Sequence, residues 1–358
     1  MAYTRSSLPA ARVAVIVLIH DDYAERYLAE CHASLVAQTY PAESFTVFVV
    51  NNGVFVESRR LAARAAPQAR FIDHATNLGW TGGVNSALRV ALEEGYEAVA
   101  LLNVDAVVHP MWLAELVAAA EAHPAAHIVQ SQILLYGTNT INSLGNRLHY
   151  LGYGTCHGYG ATRAMLPKTI AIDCASGAAM LVRREVFEAI GLFREDYFIY
   201  YDDVEFCWRA RLAGFRVALA ERAICSHHYR FQKSPESLYL LQRNRLLTLL
   251  TLQRLRTLLV IAPCLVVSEL VMGAYFISHG WAGVCGRLLR YFARPATWRL
   301  IAARRREVRA LRCRSDAEIV KRFTGTVRFA ELDHPLLRYV LNPLLGLYWL
   351  VVRALIVW

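Results

Sequence analysis

Several familiar signatures are missing from this sequence of 358 residues. Its eight cysteines are scattered and none forms a Cys-x-x-Cys pair, so neither a zinc site nor a disulfide framework is indicated, and a reducing cytosol is favoured. Residues 1–12 lack the apolar run of a secretory signal peptide, which predicts that the main part of the chain stays on the cytoplasmic side. No Gly-x-Gly-x-x-Gly motif occurs, so a nicotinamide cofactor is not expected.

Hydrophobic residues and positive charge are present in excess. Apolar residues make up 56% of the chain, and the formal net charge is +10 at pH 7. Arginines crowd the C-terminal third between Arg287 and Arg314, where they alternate with hydrophobic stretches. This alternation favours anionic membrane lipid over nucleic acid as the partner of the basic region.

Two C-terminal segments are candidates for membrane contact. Residues 258–278 are apolar except for Glu269, and roughly 20 such residues can span a bilayer as a helix. An ionised carboxylate inside a bilayer is costly unless it is paired, so this segment is predicted either to span the bilayer or to lie on it. Residues 339–352 carry no charge but are too short to span unless Arg338 and Arg353 reach the interface. The alternative is a buried helical domain with a basic outer face.

Strand and helix patterns alternate over the first hundred residues. Short apolar, β-branched runs indicate strands, and turn signals separate them from helical stretches. The predicted strands are 13–19, 45–50, 70–73 and 98–102, and the predicted helices are 24–37, 57–66 and 82–94. This order predicts an α/β fold, a Rossmann-like and mostly parallel sheet with helices on both faces.

The pattern changes after residue 135. Residues 136–160 are rich in Gly, Asn and Tyr, which predicts hairpins or a mobile loop. Strands are predicted within 169–182 and over 215–219 and 223–225, and helices over 184–190, 202–213 and 235–254. The chain is therefore divided into an α/β domain, residues 1–250, and a hydrophobic, Arg-rich helical region that associates with membrane, residues 251–358.

Polar side chains follow the predicted strands where those strands end. They are His20-Asp21, Asn51-Asn52, Asn77 to Gly79, and Asn103 to Asp105. Ligands of parallel sheets bind beyond the carboxyl ends of the strands. Asn103 and Asp105 point the same way, and a carboxylate there can hold Mg²⁺ or Mn²⁺ together with diphosphate oxygens. Taken alone, Asp105 is better explained as the residue that ends a strand in a turn.

A glycine-rich segment, residues 77–85, joins a predicted strand to a helix. It reads Asn-Leu-Gly-Trp-Thr-Gly-Gly-Val-Asn. Glycines at such a junction let a ligand approach the backbone and leave helix N–H groups free for oxygen atoms. A plain glycine-rich turn explains the segment equally well.

Two further groups of residues carry candidate chemistry. Asp202, Asp203 and Glu205 begin a helix, and clustered carboxylates raise each other's pKa, which suits a general base. The alternative is an acidic N-terminal cap, which the helix dipole favours, with Arg209 as its ion-pair partner. His227 and His228 follow a strand, where one of them could reach a cation or serve as an ordinary hydrogen-bonded residue.

Together these features resemble glycosyltransferase family 2, and most closely its rhamnosyltransferase-like branch. The branch typically runs Asn-x-Gly-x-x-x-Gly-x-Asn, Leu-Asn-x-Asp, Gly-Ala-x-x-Leu-x-Arg-Arg, a Glu-Asp-x-Asp type helix and a late histidine. The matching stretches here are residues 77–85, 102–105, 177–184 and 202–209, followed by His227. The run from Arg243 to Leu247 is also similar to this branch.

The resemblance implies a glycosyltransferase A-type fold and inverting transfer of rhamnose or a similar hexose from a nucleotide-diphosphate donor to a glycan or polyprenyl-linked glycan. Asp203 is the implied base, with Asp202 as its rival, and Asp105 and His227 are the implied Mn²⁺ or Mg²⁺ ligands, with His228 as second choice. The expected donor-binding residues are His20, Asp21, Asn51, Asn52, Asn77, Gly79, Gly82, Gly83, Asn85 and Asn103. The expected acceptor-binding residues are Gly177, Ala178, Glu205 and Arg209. The expected location is the cytoplasmic face of the inner membrane, in cell-surface polysaccharide synthesis.

Alternatives follow from the departures from this pattern. The family commonly has an Asp-Asn-Gly-Ser turn whose Asp reads the nucleotide base, and here Asn51 takes that place. This favours, as the rival, a non-catalytic membrane-bound protein that binds nucleotide sugars or acts as a scaffold on the same fold. A processive synthase is less favoured because Gln253-Arg254-Leu255-Arg256 lacks the Trp of its usual motif.

Overall fold

A computed structural model describes residues 10–122, 126–163, 171–230, 233–327, 335 and 337–358. The helices and strands of the first part are β1 (Val13–Ile19), a π-helical turn (Ala24–Leu28) that continues into α1 (Ala29–Val36), β2 (Phe45–Asn52), α2 (Val56–Ala65), β3 (Arg70–His74), α3 (Gly79–Glu93) and β4 (Ala98–Asn103). Each predicted strand and helix of this region is present, with ends that differ by a few residues from the prediction.

The second part is more irregular. It contains β5 (Ala106–Val108), α4 (Trp112–Ala122), β6 (Ala126–Leu135), β7 (Ile141–Ser143), β8 (Asn146–Leu148), β9 (Gly154–Cys156), β10 (Ala179–Arg183), α5 (Arg184–Ile190), α6 (Asp202–Leu212) and β11 (Arg216–His227). Strands predicted over 215–219 and 223–225 form one strand, β11, with an irregularity in its pairing between Ala220 and Ile224. The hairpin expected within 136–160 is the antiparallel pair β8 and β9. Residues 169–170 of the predicted 169–182 strand region lie outside the described residues.

A single mixed sheet organises the described part of the α/β region. Its strand order is β3-β2-β1-β4-β10-β6-β11-β5, with β7 paired to β6. The first four of these strands are parallel, whereas β10 runs antiparallel to both β4 and β6. Because β10 reverses direction, its amino end lies at the sheet edge where β1, β2 and β4 end.

Alternating residues of the strands bury both faces of this sheet. In β1, Ala14, Ile16 and Leu18 belong to one hydrophobic cluster, and the residues between them belong to the other. All seven residues of β1 are buried, as expected for a strand covered on both sides. The first cluster also includes Trp349 and Val352 from the C-terminal region, so that region packs against the sheet domain.

The C-terminal region is helical. Its helices are α7 (Pro235–Leu252), α8 (Leu255–Ser278), α9 (Ala282–Ala293), α10 (Pro295–Leu311), α11 (Asp316–Val320) and α12 (Asn342–Leu355), the last preceded by a π-helical turn (Leu337–Leu341). The predicted boundary at residue 250 falls near the end of α7, and the division into two domains stays a prediction. Among the described helices, α8 is the one whose length and apolar composition would allow it to cross a membrane.

Exposed apolar side chains concentrate on two of these helices. On α8 and α12 they are Leu259, Val266, Val267, Leu270, Ile277, Leu344, Leu347, Leu350, Val351 and Leu355. Many exposed apolar side chains on one helix are typical of a contact with a membrane or another protein. The alternative, a buried helical domain with a basic outer face, would bury these side chains, and membrane contact stays a prediction.

Candidate active site

The polar strand ends predicted from the sequence meet at one edge of the sheet. In the parallel register Ile19 pairs with Asn51, Leu18 with Asn103, and Asn51 with Asp73. The side chains that follow β1, β2, β3 and β4 therefore lie side by side at the carboxyl edge. This is where open α/β sheets bind their ligands.

Asp105 and His227 are brought into contact across this edge. Asp105 lies in the turn between β4 and β5, and β11 runs antiparallel to β5, which places His227 opposite Ala106. His227 Nε2 lies 3.1 Å from Asp105 Oδ1, and both side chains are largely buried. His227 Nδ1 lies 3.3 Å from Asn142 Oδ1, so an amide on β7 orients the ring from its other side. The two predicted metal ligands thus form one unit.

The donor set at this pair fits a divalent cation. A carboxylate oxygen and an imidazole nitrogen are ordinary ligands for Mn²⁺, and Mg²⁺ accepts one or two carboxylates together with phosphate oxygens. Two neighbouring ligands about 2.1 Å from one octahedral ion are about 3 Å apart. The 3.1 Å between Asp105 Oδ1 and His227 Nε2 agrees with that separation. Within the described residues no group of three or more His, Cys, Asp and Glu side chains converges, so further ligands would come from the substrate.

Asp203 lies at the same edge, held by backbone N–H groups. Its Oδ2 accepts a hydrogen bond from Gly177 N at 3.2 Å, and its Oδ1 accepts one from Val204 N at 2.7 Å. The carbonyl oxygen of Ala178, the residue after Gly177, accepts a hydrogen bond from Asn103 N at 2.9 Å. Gly177 and Ala178 thus join the Asp203 carboxylate to the end of β4, two residues before Asp105.

Burial raises the pKa of both carboxyl groups at the start of α6. For Asp202 burial is the largest cause and the negative charge of Asp203 adds to it, so its pKa lies well above its ordinary range. For Asp203 burial also raises the pKa, while the N–H groups of Gly177 and Val204 oppose the shift. Asp203 is the less buried of the two residues and accepts the hydrogen bond from Gly177, and its role as the base stays a prediction.

The segment that leads into α6 has an unusual backbone. Phe198, Tyr200 and Tyr201 have φ values of 66°, 69° and 62°, which is costly for residues other than glycine. Asn244 of α7 holds this segment, because its amide donates to the carbonyls of Tyr197, Ile199 and Tyr200 at 3.0, 3.0 and 2.8 Å. A side chain from the C-terminal region therefore fixes the approach to Asp202 and Asp203.

The asparagines of the donor side bond mainly within the protein. Asn52 Nδ2 donates to Asn77 Oδ1 at 2.9 Å and to Gly79 O at 3.0 Å, and its Oδ1 accepts from Leu78 N. Asn77 Oδ1 also accepts from Gly79 N at 2.8 Å. These contacts shape the glycine-rich turn from inside, and direct donor contact by Asn52 and Asn77 stays a prediction.

The glycines of this turn are required by close packing. Gly79 has φ +73°, and a Cβ there would lie 2.5 Å from the carbonyl oxygen of Phe198. A Cβ at Gly83 would lie 2.4 Å from Leu18 Cδ1, and one at Gly82 would lie 2.9 Å from Leu78 Cβ. The glycines therefore bring α3 close to β1 and to the 193–201 segment, and their donor contacts stay predictions.

Asn85 also links two parts of the domain. Its Nδ2 donates to Phe193 O at 2.9 Å, and its Oδ1 accepts from Phe193 N at 3.1 Å. The side chain is buried, so it fixes the segment after α5 from within. Donor binding by Asn85 stays a prediction.

Glu205 and Arg209 are the most buried of the predicted acceptor residues. Glu205 is 2% exposed and Arg209 is fully buried, and Arg209 Nε donates to Glu205 Oε1 at 2.8 Å. Arg209 also donates to the carbonyls of Ile190 and Leu192, and Arg194 lies 3.4 Å from Glu205. The neighbouring arginines lower the pKa of Glu205 against the opposing effect of burial. This network anchors α6 to the segment after α5, and acceptor contact stays a prediction.

The outermost predicted donor residues lie at the ends of β1 and β2. His20 Nδ1 lies 3.0 Å from Asp21 Oδ2, and the Asp21 side chain is exposed. Asn51 Nδ2 donates to Asp73 Oδ1 at 2.9 Å. Asp73 is hydrogen-bonded to Arg59 as well, which lowers its pKa, so a carboxylate stands beside Asn51 although the turn after β2 has none.

His228 belongs to a separate cluster. Its ring stacks on Tyr136 with centroids 3.6 Å apart, and its Nε2 lies 3.7 Å from Glu30 Oε2. Only its backbone N–H reaches Asp105, whose carbonyl accepts it at 2.9 Å. The structure thus favours His227 over His228 as the partner of the Asp105 side chain.

Three residues near the site were not assigned there from the sequence. The sequence predicts Asp73 only as the end of a strand and Trp80 only as part of the glycine-rich segment. In the structure the Trp80 ring packs against Gly177, where an added Cβ would lie 3.2 Å from it. Asn244 had a signal, since it lies in a polar run, Arg243 to Arg245, within a helix that is otherwise largely apolar. The other two had no signal beyond their position.

The fold and the edge geometry define a class, the nucleotide-sugar transferase fold of the glycosyltransferase A type, with a mixed sheet covered by helices. Residues 14–191 match the family model described as glycosyl transferase family 2. This part of the chain is therefore a glycosyl transferase family 2 domain.

Known proteins similar to this chain include one curated relative. "Low-salt glycan biosynthesis hexosyltransferase Agl10" of Haloferax volcanii is 28% identical over 209 residues, which are 56% of this chain and 65% of the relative. The match thus spans just under two thirds of that relative's length.

One solved structure shows the same fold at low identity, and a second aligns less well. The structure titled "Crystal structure of GalNAc-T7 with UDP, GalNAc and Mn2+" aligns with a TM-score of 0.53 and 13% identity, over 67% of this chain and 48% of that one. A mannosyltransferase from Pyrobaculum calidifontis, solved with GDP-Man and Mn²⁺, aligns with a TM-score of 0.49 and 16% identity, over 84% of this chain and 86% of that one.

Proposed function

We propose that this protein is an inverting glycosyltransferase that moves a hexose from a nucleotide-diphosphate donor to a hydroxyl of a glycan or lipid-linked glycan. Rhamnose or a similar hexose is the proposed sugar, in keeping with the rhamnosyltransferase-like motifs. The family 2 domain and the similarity to a protein named as a glycan-biosynthesis hexosyltransferase support the proposal. One structural observation carries it, the contact of Asp105 with His227 at the sheet edge to which Gly177 and Ala178 tie Asp203.

The geometry supports a direct displacement. Asp203 accepts the proton of the acceptor hydroxyl, whose oxygen forms a bond to the anomeric carbon from the face opposite the diphosphate. The bond from that carbon to the diphosphate oxygen breaks, and the nucleoside diphosphate leaves with the electron pair. Burial raises the pKa of Asp203 and so strengthens it as a base, because a more basic carboxylate takes a proton more readily.

Asp105 and His227 are the residues that would hold Mn²⁺ or Mg²⁺. When bound, such an ion neutralises the charge that develops on a departing diphosphate. Asn142 holds the His227 ring by its other nitrogen, an arrangement that commonly orients metal-binding histidines.

The membrane forms the second part of the proposal. The exposed apolar faces of α8 and α12 and the arginines of α9 and α10 support attachment to an anionic bilayer. We place the protein at the cytoplasmic face of the inner membrane, in cell-surface polysaccharide synthesis. Glu269, the one acidic residue of α8, pairs with Arg245 of α7, which removes the cost of an isolated carboxylate in an apolar helix.

A donor panel tests this proposal. The full chain in detergent is incubated with UDP-, GDP- and dTDP-hexoses and Mn²⁺, and release of nucleoside diphosphate is measured with and without chelator. The anomeric configuration of any transferred sugar is then read by NMR. Metal-dependent release and an inverted product are expected. Nucleotide-sugar binding without release or transfer would contradict the proposal and favour the non-catalytic alternative.

A further inference from the structure

A large cavity lies between the sheet domain and the C-terminal helices. Its volume is about 770 Å³, within the usual range for small-molecule sites. Its walls come from the β8–β9 hairpin, the start of α6, the segment after β11, α7 and α8. None of the residues of the candidate active site explains why this cavity is present, so the ligand of the cavity has to be inferred from its own lining.

Two tyrosines of the cavity lining are close to residues of the candidate active site. Tyr201 lies two residues before Asp203, and its hydroxyl accepts a hydrogen bond from Gly154 N at 3.3 Å. The ring of Tyr229 lies 5.9 Å from that of His227. The cavity wall is therefore adjacent to the proposed base and to the proposed metal ligand through these two residues.

Helix α8 forms another wall and has two distinct faces. Met272, Tyr275 and Phe276 line the cavity. At the same helical spacing Ser268 and Glu269 contact the domain, since Ser268 Oγ lies 2.7 Å from Tyr153 Oη and Glu269 pairs with Arg245. The opposite face carries the exposed Val266, Val267 and Leu270. One side of a single apolar helix thus lines the cavity, and the other side is exposed as apolar surface.

The charges lining the cavity are positive. Arg147 and Lys233 are among the lining residues, and no carboxylate is among those that the structure describes. Arg245 is also present, but Glu269 neutralises it. The exposed guanidinium of Arg147 contacts His157 Nε2 at 3.3 Å and has no ion pair within the described part of the chain. The lining therefore suits an anionic group on an otherwise apolar and aromatic ligand.

We propose that this cavity binds the acceptor, and that the acceptor is a sugar carried on a long-chain lipid phosphate. The inference rests on the proposed function, which it deepens by naming the substrate class and the site. The lipid lies against α8, the phosphate lies near Arg147, and the sugar lies beside Tyr201, toward Asp203. A soluble glycan would leave the apolar wall of α8 without a partner.

Two exposed cysteines provide a test that needs no mutation. Cys156 lines the cavity, whereas Cys313 is exposed outside it, beside Gly214. The full chain in detergent is labelled with N-ethylmaleimide, with or without farnesyl phosphate, and modification of each cysteine is followed by mass spectrometry. At about ten times its dissociation constant the probe should slow labelling of Cys156 about tenfold and leave Cys313 unchanged.

Controls separate the lipid phosphate from its parts. Farnesol and inorganic phosphate at the same concentration should protect Cys156 much less than farnesyl phosphate. Arg147→Gln should raise the dissociation constant about tenfold, which corresponds to the loss of one charge-assisted hydrogen bond, so that at the same concentration the slowing falls to about twofold. Arg64→Gln, an exposed arginine on α2, should leave the protection unchanged.

Other results would overturn the inference. These are no protection of Cys156, equal protection by farnesol or by phosphate alone, equal slowing at Cys313, or an unchanged effect in Arg147→Gln. The labelling requires no sugar donor, so it is independent of catalysis. Transfer to a soluble glycan without protection of Cys156 would leave the proposed function intact and reject this site. Protection of Cys156 without any transferase activity would support this binding site and reject the proposed function.

Discussion

The two sides of the sheet edge are built in different ways. On the donor side, around β1, β2 and α3, the side chains of Asn52, Asn77 and Asn85 bond to backbone and to each other, and glycines pack without room for a Cβ. On the acceptor side, around α6 and α7, the backbone is strained at three tyrosine and phenylalanine positions and a cavity of about 770 Å³ lies open. On the donor side the polar side chains are hydrogen-bonded within the protein, whereas the acceptor side has a strained backbone and an open cavity.

This difference bears on the proposed division of function. If the compact side binds the donor, as proposed, it presents a fixed surface, and donor recognition would depend on the shape of the backbone and on a few carboxylates and histidines. The acceptor side depends on residues far apart in the chain, because α7 holds the segment that leads to Asp203. Substitutions at Asp203, Asp105 and Asn244 should therefore affect different steps.

The largest effect is expected for Asp203→Asn. The amide keeps the size of the side chain but cannot take a proton, so kcat should fall by about 10²–10⁴-fold. Donor affinity should remain close to that of the unchanged protein, because the donor side is left intact. The measurement is kcat for transfer together with donor binding by calorimetry.

Asp202→Asn is the matched control for this prediction. Asp202 is 7% exposed and adjacent in sequence, but no contact with Gly177 holds it at the sheet edge. Its replacement should lower kcat much less. A larger loss in Asp202→Asn than in Asp203→Asn would assign the base to Asp202.

The next largest effect is expected for Asp105→Asn. The substitution removes the negative charge that faces His227 Nε2 at 3.1 Å, and transfer should fall by about 10²–10³-fold, as when a charge-stabilising group is lost. The Mn²⁺ concentration for half-maximal activity should rise at the same time. Steady-state kinetics over a Mn²⁺ series measure both quantities.

His227→Ala and His228→Ala form a matched pair for the same question. His227→Ala should also raise the Mn²⁺ requirement, whereas His228→Ala should leave it unchanged, since the His228 ring stacks on Tyr136. An unchanged Mn²⁺ requirement in both Asp105→Asn and His227→Ala would mean that no cation binds at this pair.

A smaller effect is expected for Asn244→Ala. The substitution removes this donor from the carbonyls of Ile199 and Tyr200, while the carbonyl of Tyr197 still accepts from Arg243, so the free energy of unfolding should fall by about 1–3 kcal/mol. The segment should then relax away from positive φ and displace Asp203, which lowers kcat more than it raises the KM of the donor. Thermal unfolding and kinetics in the same detergent measure the two effects.

Asn342→Ala is the control for stability alone. Asn342 is also buried, and its side chain bonds to the backbone of Val327 at 2.8 Å, far in sequence from the site. It should lose comparable stability with little change in kcat. If both variants lose stability and neither loses kcat, Asn244 does not position the acceptor side.

The parallel half of the sheet was predictable from sequence, whereas the acceptor side was only partly so. Strand β1 was recognisable because all of its seven residues are apolar, and the contact of Asp105 with His227 agrees with the motif order. Strand β11 was expected as two strands, over 215–219 and 223–225, and the structure has one strand with irregular pairing between Ala220 and Ile224. The hydrophobic periodicity of a short segment predicts that it forms a strand, but does not predict whether two such segments pair with a neighbour as one continuous strand.

Contacts made across the chain were beyond sequence reasoning. Glu205 and Arg209 are four residues apart on one helix and were expected to bind acceptor, but tertiary packing buries both. Phe198, Tyr200 and Tyr201 have positive φ although none of them is a glycine, so the sequence does not indicate this conformation. Such a conformation is imposed by Asn244, which is more than 40 residues away.

The smallest effect is a pH dependence of stability at Asp202. Burial and the charge of Asp203 raise its pKa in the folded protein, so the folded state binds a proton at pH values where the unfolded state has lost it. The slope of the unfolding free energy against pH is then negative, and stability is lost as pH rises from the ordinary aspartate pKa, about 3.9, through the raised value. Asp202→Asn removes this loss, so its unfolding temperature should exceed that of the unchanged protein by a margin that grows with pH. The matched control is Gln68→Asn at an exposed position, which changes no titratable group, so any margin should stay constant over the same series. A margin for Asp202→Asn that shrinks with rising pH would mean that this carboxylate is stabilised in its charged form, and the acceptor side would then resemble the internally satisfied donor side.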